Sequence, residues 1–314
     1  MNNYYEDNSP LVSVIIPTYK REVKFISRAI MSVIQQSYEN IQLIVVDDSP
    51  SNFVHRNEIK KFVTSLNNYN ITFIQNEKNL GGSLARNVGI AEAKGKYTTF
   101  LDDDDEYEVD KIKNQVKFME SNECDLSFSD LIMYNNDGKI VDYREFSDIP
   151  SFDNDSLLRY HLQKHMTGTP TFIFKTLKLK EIGGFEDSKM GQEFYLMLKS
   201  IEKGLKIAYN PICDVKVYKH EEGGIAQGQN KINGEIELFN FKKTYFQNLS
   251  KNEQKYINFR HWAVMVVAYK RNKMYFKMIV SGFKAFFASP TIFLKEVFGF
   301  VEKIVSLRHA KENL

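Results

Sequence analysis

Four consecutive aspartates, Asp102-Asp103-Asp104-Asp105, follow the short apolar run Tyr97–Leu101. Carboxylates so close repel one another, and packing gives no reason to gather them at the mouth of a buried strand. A hard divalent cation resolves the conflict, because Mg²⁺ takes one or two carboxylate oxygens and completes its shell with water and substrate phosphates. A solvated acidic loop or helix N-terminus, where Asp is favourable, is the competing reading. Asp47-Asp48 ends a second apolar run, Ile41–Val46. An acidic pair so placed hydrogen-bonds a ribose or a base N–H, or caps the next helix. Between the two lies Asn79-Leu80-Gly81-Gly82-Ser83-Leu84-Ala85-Arg86-Asn87, a glycine turn joined to a helix start. Such a helix end offers backbone N–H groups to a phosphate, with Arg86 one turn inward as counter-charge. The same glycines also serve as plain turn punctuation. The segment is neither GxGxxG nor GxxxxGK[ST], so the dinucleotide and ATPase fingerprints are absent.

These residues act together only if the chain brings them to one place. The first 105 residues alternate strand and helix signals. Leu11–Ile16 reads as a buried strand stopped by Pro17, and Ile26, Ile30, Val33 and Ile34 share a helix face from Val23 onward. Ile41–Val46 is a strand, 53–67 a polar helix, Ile71–Gln75 a strand, Gly81–Lys94 a helix and Tyr97–Leu101 a strand. This alternation predicts βαβ units, an α/β fold and a mostly parallel sheet flanked by helices. Right-handed crossovers place the strand C-termini along one edge, where ligands bind in open α/β sheets. Further on, the pattern predicts helices at 108–120, 176–182 and 192–203. It predicts extended segments at Asp125–Tyr134, Lys139–Phe146, Thr169–Phe174, Leu205–Tyr209 and Val215–Tyr218. From about Asn233 the signal is helical, with Phe259, Trp262, Val266 and Tyr269 on one face.

Composition sets the class. The chain has 314 residues, 43% apolar and 26% charged, which excludes collagen-like, disulfide-framework and wholly disordered proteins. With 42 Lys and Arg against 40 Asp and Glu, the balance does not point to nucleic acid as a partner. The charge is uneven, however: residues 251–314 hold 12 basic and 4 acidic residues together with 12 aromatics. Cys124 and Cys213 are far apart and lack metal-ligand spacing, as expected of reduced thiols in a cytoplasmic protein. The polar N-terminus lacks a signal-peptide pattern. No uninterrupted apolar window spans a bilayer; Met278–Leu294 comes nearest and is broken by Lys284 and Pro290. The expected location is the cytoplasm or the cytoplasmic surface of a membrane.

Taken in order, the motifs resemble the family 2 glycosyltransferases, which have the nucleotide-diphospho-sugar transferase fold of type A (GT-A, Rossmann-like). The resemblance covers roughly residues 10–225. It rests on Val12-Ser13-Val14-Ile15-Ile16-Pro17-Thr18-Tyr19-Lys20-Arg21, Val46-Asp47-Asp48-Ser49, Asn79 to Asn87 with Gly89, and Gly95-Lys96-Tyr97 running into the four aspartates. Ile182-Gly183-Gly184-Phe185 and Gly191-Gln192-Glu193-Phe194 continue it. The resemblance implies a donor site formed by Pro17, Tyr19, Arg21, Asp48, Gly81, Arg86, Asp102 and Asp103. Tyr19 would lie against the nucleobase, Asp48 would accept its N–H and Asp103 would hold the ribose. Asp102 and Asp104 fit the family's Asp-x-Asp element, with Asp104 the direct ligand of Mn²⁺ or Mg²⁺. His220 sits where several relatives carry a histidine near metal and diphosphate; a surface-loop histidine is the plain alternative. Relatives open the helix matching 192–199 with an acidic pair whose second member is the catalytic base. Here the pair is Gln192-Glu193, so the first acid is missing and Glu193 is the implied base; a charge favoured in a first helical turn is the alternative.

The implied activity is metal-dependent, inverting transfer of a hexosyl or N-acetylhexosaminyl group. The donor would be a nucleotide-diphosphate sugar, with uridine as the base. The acceptor would be a saccharide or lipid-linked saccharide in surface polysaccharide synthesis. The implied domains are a catalytic part at 1–232, with a donor half at about 10–105 and an acceptor half at about 106–232, and a helical region at 233–314. Two other readings compete. Leu43 to Pro50 alone looks like the acidic pocket of a signalling receiver, but the order of the acid sites and the chain length do not fit one. A non-catalytic sugar-nucleotide-binding or scaffold subunit keeps the fold and is left open by Gln192. The basic, aromatic C-terminal region packs either on the core or on a second subunit in a homodimer, or else meets anionic lipid.

Overall fold

The computed structural model describes residues 9–67, 69–135, 137–166, 168–188, 190–219 and 228–296. Residues 9–158 and 166–219 form one compact unit; residues 159–165 and 228–296 form a second. The first unit begins with β1 (Val12–Thr18), α1 (Val23–Ile34), β2 (Ile41–Asp47), α2 (Arg56–Ser65), β3 (Ile71–Gln75), α3 (Gly82–Glu92) and β4 (Tyr97–Phe100). It continues with β5 (Glu106–Tyr107), α4 (Lys111–Asn122), β6 (Leu126–Ser129), β7 (Leu131–Tyr134), β8 (Ile140–Arg144) and residues 154–158 of α5 (Asn154–Lys164). It closes with β9 (Ile173–Lys175), α6 (Thr176–Glu181), α7 (Gln192–Glu202), β10 (Ile207–Asn210) and β11 (Val215–Tyr218).

Seven strands build the main sheet in the order β10-β6-β9-β4-β1-β2-β3. All neighbours are parallel except β9, which runs antiparallel to both β4 and β6. The strands are apolar on both faces, as a sheet covered by helices requires: Val12, Val14, Ile15 and Ile16 of β1 are fully buried. The α1 face read from spacing is the one that packs, through Ile26, Ile30 and Val33 with Ala29. Helix α3 lies close on β1 because Gly89 has no side chain; a Cβ there would come within 2.5 Å of Ile15 Cγ2.

The middle of the chain departs from the periodicity in two places. Asp125–Tyr134 is not one extended run. It breaks at Asp130, sending β6 into the main sheet and β7 into a second sheet of order β5-β11-β7-β8. Asp130 is buried there and accepts hydrogen bonds from the hydroxyls of Tyr143 and Tyr209, so a polar residue is satisfied at the break. Thr169–Phe174 starts as a 3₁₀ turn, Thr169–Thr171, and becomes a strand only at Ile173. Pro170 fixes φ and has no N–H for a ladder, which explains the delay.

The second unit holds α8 (Gly228–Lys243), α9 (Lys251–Arg271), α10 (Tyr275–Ala288) and α11 (Pro290–Glu296). The position 232/233 falls inside α8. A capping box of Ser250 and Glu253 starts α9, and Glu253 also pairs with Arg159 at 3.1 Å. Its core is Ile232, Met265 and Ala268 with Trp262, Tyr269 and Met274 packed around them. No single helix among the described residues is long and apolar enough to cross a membrane; α10 with α11 passes on length and composition but is bent by 114°.

Candidate functional site

Strands β1, β2 and β4 are adjacent and parallel, so their C-terminal ends bring Thr18, Asp47-Asp48 and Asp102–Asp105 to one sheet edge. At β2, Asp47 is buried and accepts from Ser49 N at 3.0 Å and Gln75 Nε2 at 3.1 Å. Asp48, 2% exposed, accepts from Asn76 Nδ2 (2.8 Å), Leu80 N (2.9 Å) and Gly81 N (2.8 Å). Its carboxylate therefore ties β2 to the turn at Gly81, whose φ of 86° opens α3. A base N–H reaching Asp48 would have to displace or share one of these donors. Arg56 supports the same turn by donating to Asn76 O at 2.8 Å and to Ser49 O. Nothing in the sequence marks Arg56, since its partners lie on distant loops.

The four aspartates do not share one environment. Asp103 and Asp105 are buried, and Asp102 and Asp104 are half-buried. Asp103 accepts from Thr18 Oγ1 (2.7 Å) and Arg21 Nε (2.9 Å), and Arg21 also reaches Asp104. Burial nonetheless pushes the Asp103 carboxyl up to about 6. Asp105 accepts Tyr218 N at 3.0 Å; burial and the neighbouring aspartates raise it well above the carboxylate range. Arg28, which the sequence reading passed over, donates to Asp104 O, pairs with Glu106 at 2.9 Å and lies 4.1 Å from the Tyr218 ring. Arg21, with Arg86 on Asp102, and the two raised carboxyls thus resolve the repulsion between adjacent acids.

Arg86 joins this edge to the next helix. Its side chain is only 10% exposed and pairs with Asp102; it also donates to Gln192 Oε1 at 2.8 Å and Gly82 O at 3.2 Å. Gln192 is the first residue of α7 and donates in turn to Ser188 O at 3.2 Å. The amide at the position of the missing acid is therefore an acceptor for Arg86. Glu193 follows in the first turn, half-buried, its carboxylate without a hydrogen bond or ion pair among the described residues. The turn before α7 is locked to α3: Asn87 donates to Phe185 O and accepts from Phe185 N, both at 2.8 Å. Gly184, at φ 61°, is needed there, because a Cβ would come within 2.5 Å of Asn87 Oδ1.

Of the other expected site residues, Tyr19 is 43% exposed at the lip, Pro17 sits in β1 opposite Val46, and Gly81 forms the turn. His220 lies outside the described residues. The structure brings Thr18, Arg21, Asp103 and Asp104 into one cluster, and Arg86, Asp102 and Gln192 into a second that shares the end of β4. Among the described residues no group of three or more His, Cys, Asp or Glu is arranged to hold a metal. Asp102 and Asp104, with side chains 35% and 16% exposed, are a donor set suited to a hard cation that takes its remaining ligands from phosphate and water. Two buried ionisable groups, Lys111 and Asp214, were not anticipated by sequence reasoning. Lys111 Nζ donates to Gln115 Oε1 and lies 3.3 Å from Thr99 Oγ1 and 4.2 Å from the Tyr107 ring, while among the described residues neither Asp214 oxygen has a hydrogen-bond donor. Burial lowers Lys111 to about 7 and raises Asp214 to about 6.

Comparison with known proteins identifies the family and the fold. The family model for glycosyl transferase family 2 matches residues 13–178. An uncharacterized glycosyltransferase of Methanocaldococcus jannaschii is 30% identical over 202 residues, 64% of this chain and 68% of that protein. The Escherichia coli protein WfaP, named UDP-Glc:alpha-D-GlcNAc-diphosphoundecaprenol beta-1,3-glucosyltransferase, is 28% identical over 70% of this chain and 82% of its own. Among solved structures, S. aureus TarS 1-349 in complex with UDP-GlcNAc superposes with a TM-score of 0.57 at 19% identity, covering 88% of this chain and 91% of that one. This chain spans 43% of the longer TarS structure. The α/β fold with a mostly parallel sheet is thus shared with these GT-A-like neighbours, and the chain belongs to glycosyl transferase family 2.

Proposed function

We propose that this chain transfers a sugar from a uridine-diphosphate sugar, with Mn²⁺ or Mg²⁺, to a hydroxyl of a saccharide or lipid-linked saccharide in bacterial surface polysaccharide synthesis. The action would be at the cytoplasmic side, in keeping with two free cysteines. The observation that carries the reading is the bridge Asp102–Arg86–Gln192. It joins the acidic strand end, where a diphosphate and its cation would sit, to the helix start that bears Glu193. The names of WfaP and of the TarS complex support a uridine-diphosphate donor and a lipid-diphosphate acceptor.

In this reading Tyr19 offers its exposed ring to the base, Asp48 and Gly81 shape the floor beneath it, and Asp103, held by Thr18 and Arg21, faces the ribose. Asp102 and Asp104 would hold the cation, which when bound supplies positive charge to the leaving diphosphate. Arg21 and Arg86 supply the chain's own positive charge at the same edge, preorganised by their carboxylate partners. Glu193 takes the proton from the acceptor hydroxyl as that oxygen attacks the anomeric carbon from the face opposite the diphosphate, inverting the centre. An acid without hydrogen-bond or ion-pair partners among the described residues is suited to that task. His220 would complete the cation or diphosphate contacts.

A thermal-shift screen of nucleotide sugars with and without Mn²⁺ tests the donor assignment. A ligand at 100 times its dissociation constant adds about 2.7 kcal/mol of stability. The largest shift is expected for a uridine-diphosphate sugar and only with metal. Equal shifts for adenosine nucleotides, or none for any sugar nucleotide, would remove the assignment. Donor-dependent shifts without transfer to any acceptor would favour the binding-subunit alternative.

A further inference from the structure

Helix α10 turns aromatic side chains to solvent. Phe276, Ile279, Phe283 and Phe287 are 80%, 53%, 61% and 75% exposed. Their spacing of three and four residues puts them on one helix face. Ser281 and Ala285, on the opposite face, are buried where α10 packs along α9. Lys277 and Lys284 border the stripe; Lys284 Nζ lies 4.2 Å from the centre of the Trp262 ring. Beside them an open cleft of about 620 Å³ is lined by Lys255, Trp262, Phe283, Lys284 and Phe287. The charge here has one sign: from Gln254 to Lys295 the sequence carries eight Lys or Arg and no Asp or Glu.

A contiguous exposed apolar stripe marks an interaction site, and the charge selects its occupant. A second copy docked through α10 about a two-fold axis would set Lys277 and Lys284 against their own copies, and α10 itself carries no acid to pair with them. A bilayer with anionic headgroups matches both parts of the surface, since rings enter the interface while lysines meet headgroup phosphates. A helix of 14 residues is also too short to span the hydrocarbon core. We infer that α10, with the cationic border of its cleft, is a membrane-surface site for bilayers that contain anionic lipid, the helix lying in the plane of the interface. The inference does not rest on the sugar-transfer reading.

Flotation of the full chain with vesicles of phosphatidylcholine alone, or of phosphatidylcholine with phosphatidylglycerol, tests the inference. Binding to the mixed vesicles is expected at low salt, falling as added salt shortens the screening length. Each cation near an anionic surface strengthens binding roughly fivefold, so Lys277→Gln with Lys284→Gln should weaken it roughly 25-fold. Phe276→Ser, Phe283→Ser and Phe287→Ser together should abolish flotation with an unchanged circular-dichroism melt, because all three side chains are exposed. Equal binding to both vesicle types overturns the inference, as does no binding at all. A dimer in light scattering that the three serine changes dissolve would assign the stripe to a second copy instead.

Discussion

Replacing Asp48 by asparagine separates its architectural duty from any contact with a ligand. The amide keeps the size of the side chain, and its oxygen can still accept from Asn76 Nδ2 and Leu80 N, now at 2.8 and 2.9 Å. The other oxygen, which takes Gly81 N at 2.8 Å and shares Leu80 N at 3.1 Å, becomes an NH₂ group facing an N–H. One partly buried backbone donor is then unsatisfied, at a cost of about 1–3 kcal/mol. The two retained bonds lose the assistance of a full charge, together about 1 kcal/mol more. A local loss of about 3 kcal/mol corresponds to a roughly 100-fold rise in the population of the opened turn. Amide hydrogen exchange at Leu80 and Gly81, measured without any nucleotide, should therefore accelerate by about that factor. Unchanged protection at both amides, with a defect seen only when nucleotide is added, would refute the reasoning: the turn would hold itself and the carboxylate would serve a ligand.

Glu193→Gln should lower transfer by about 10²–10⁴ while leaving donor affinity intact, since the proton moves only as the transition state forms. Initial rates and donor titration check this, and full activity would show that another group is the base. Gly89→Ala forces a methyl group to within 2.5 Å of Ile15 Cγ2. It should cost about 1–3 kcal/mol in urea denaturation, and an unchanged midpoint would mean that α3 is free to lift from β1. Asp214→Asn should stabilise the chain in a pH-dependent way. Burial holds the native carboxyl at about 6, above its ordinary 3.8, so the folded state prefers the proton. The wild type loses this preference as pH rises through about 6, and the amide removes the loss: a gain of about 1–3 kcal/mol at pH 8 that vanishes below pH 4. A gain independent of pH would contradict the assignment to that carboxyl.

Much of the main sheet was legible because each early strand is a compact apolar run and each crossover helix has one clear apolar face. The edge location of both acidic clusters followed from parallel pairing alone. What could not be read is how the acids divide. Alternation at the end of β4 buries Asp103 and Asp105 and leaves Asp102 and Asp104 partly open, yet four identical letters carry no sign of it. The partners Arg21, Arg28 and Arg86 reach the cluster from 16 to 83 residues away, distances over which local spacing says nothing. Gln192 looked like a lost acid because only the contact with Arg86 reveals its use. The split at Asp130 was hidden for a similar reason: period-two alternation runs through a break that two distant tyrosine hydroxyls make tolerable. The sequence left open whether the C-terminal rings pack inward or face outward, because both arrangements have the same periodicity; the exposure of Phe276, Phe283 and Phe287 decides it for α10.

The position of β9 has a consequence for biosynthesis. The strands β1 to β4 pair among themselves and are complete once residue 101 has left the ribosome, but the free side of β4 is covered only by β9, through Tyr97↔Lys175, Thr98↔Phe174 and Thr99↔Ile173. At ~5–20 residues per second, the further 70 or so residues take about 4–15 s to synthesise. For that interval the nascent sheet carries an open edge next to its acidic strand end, and an open edge is a template for pairing with another chain. Thr98 and Thr99 line it, and both are buried in the finished protein by later segments, Thr98 against Thr176 and Thr99 against Phe172 O. The interval during which a neighbouring nascent chain could capture this sheet is therefore set by translation speed between Leu101 and Lys175.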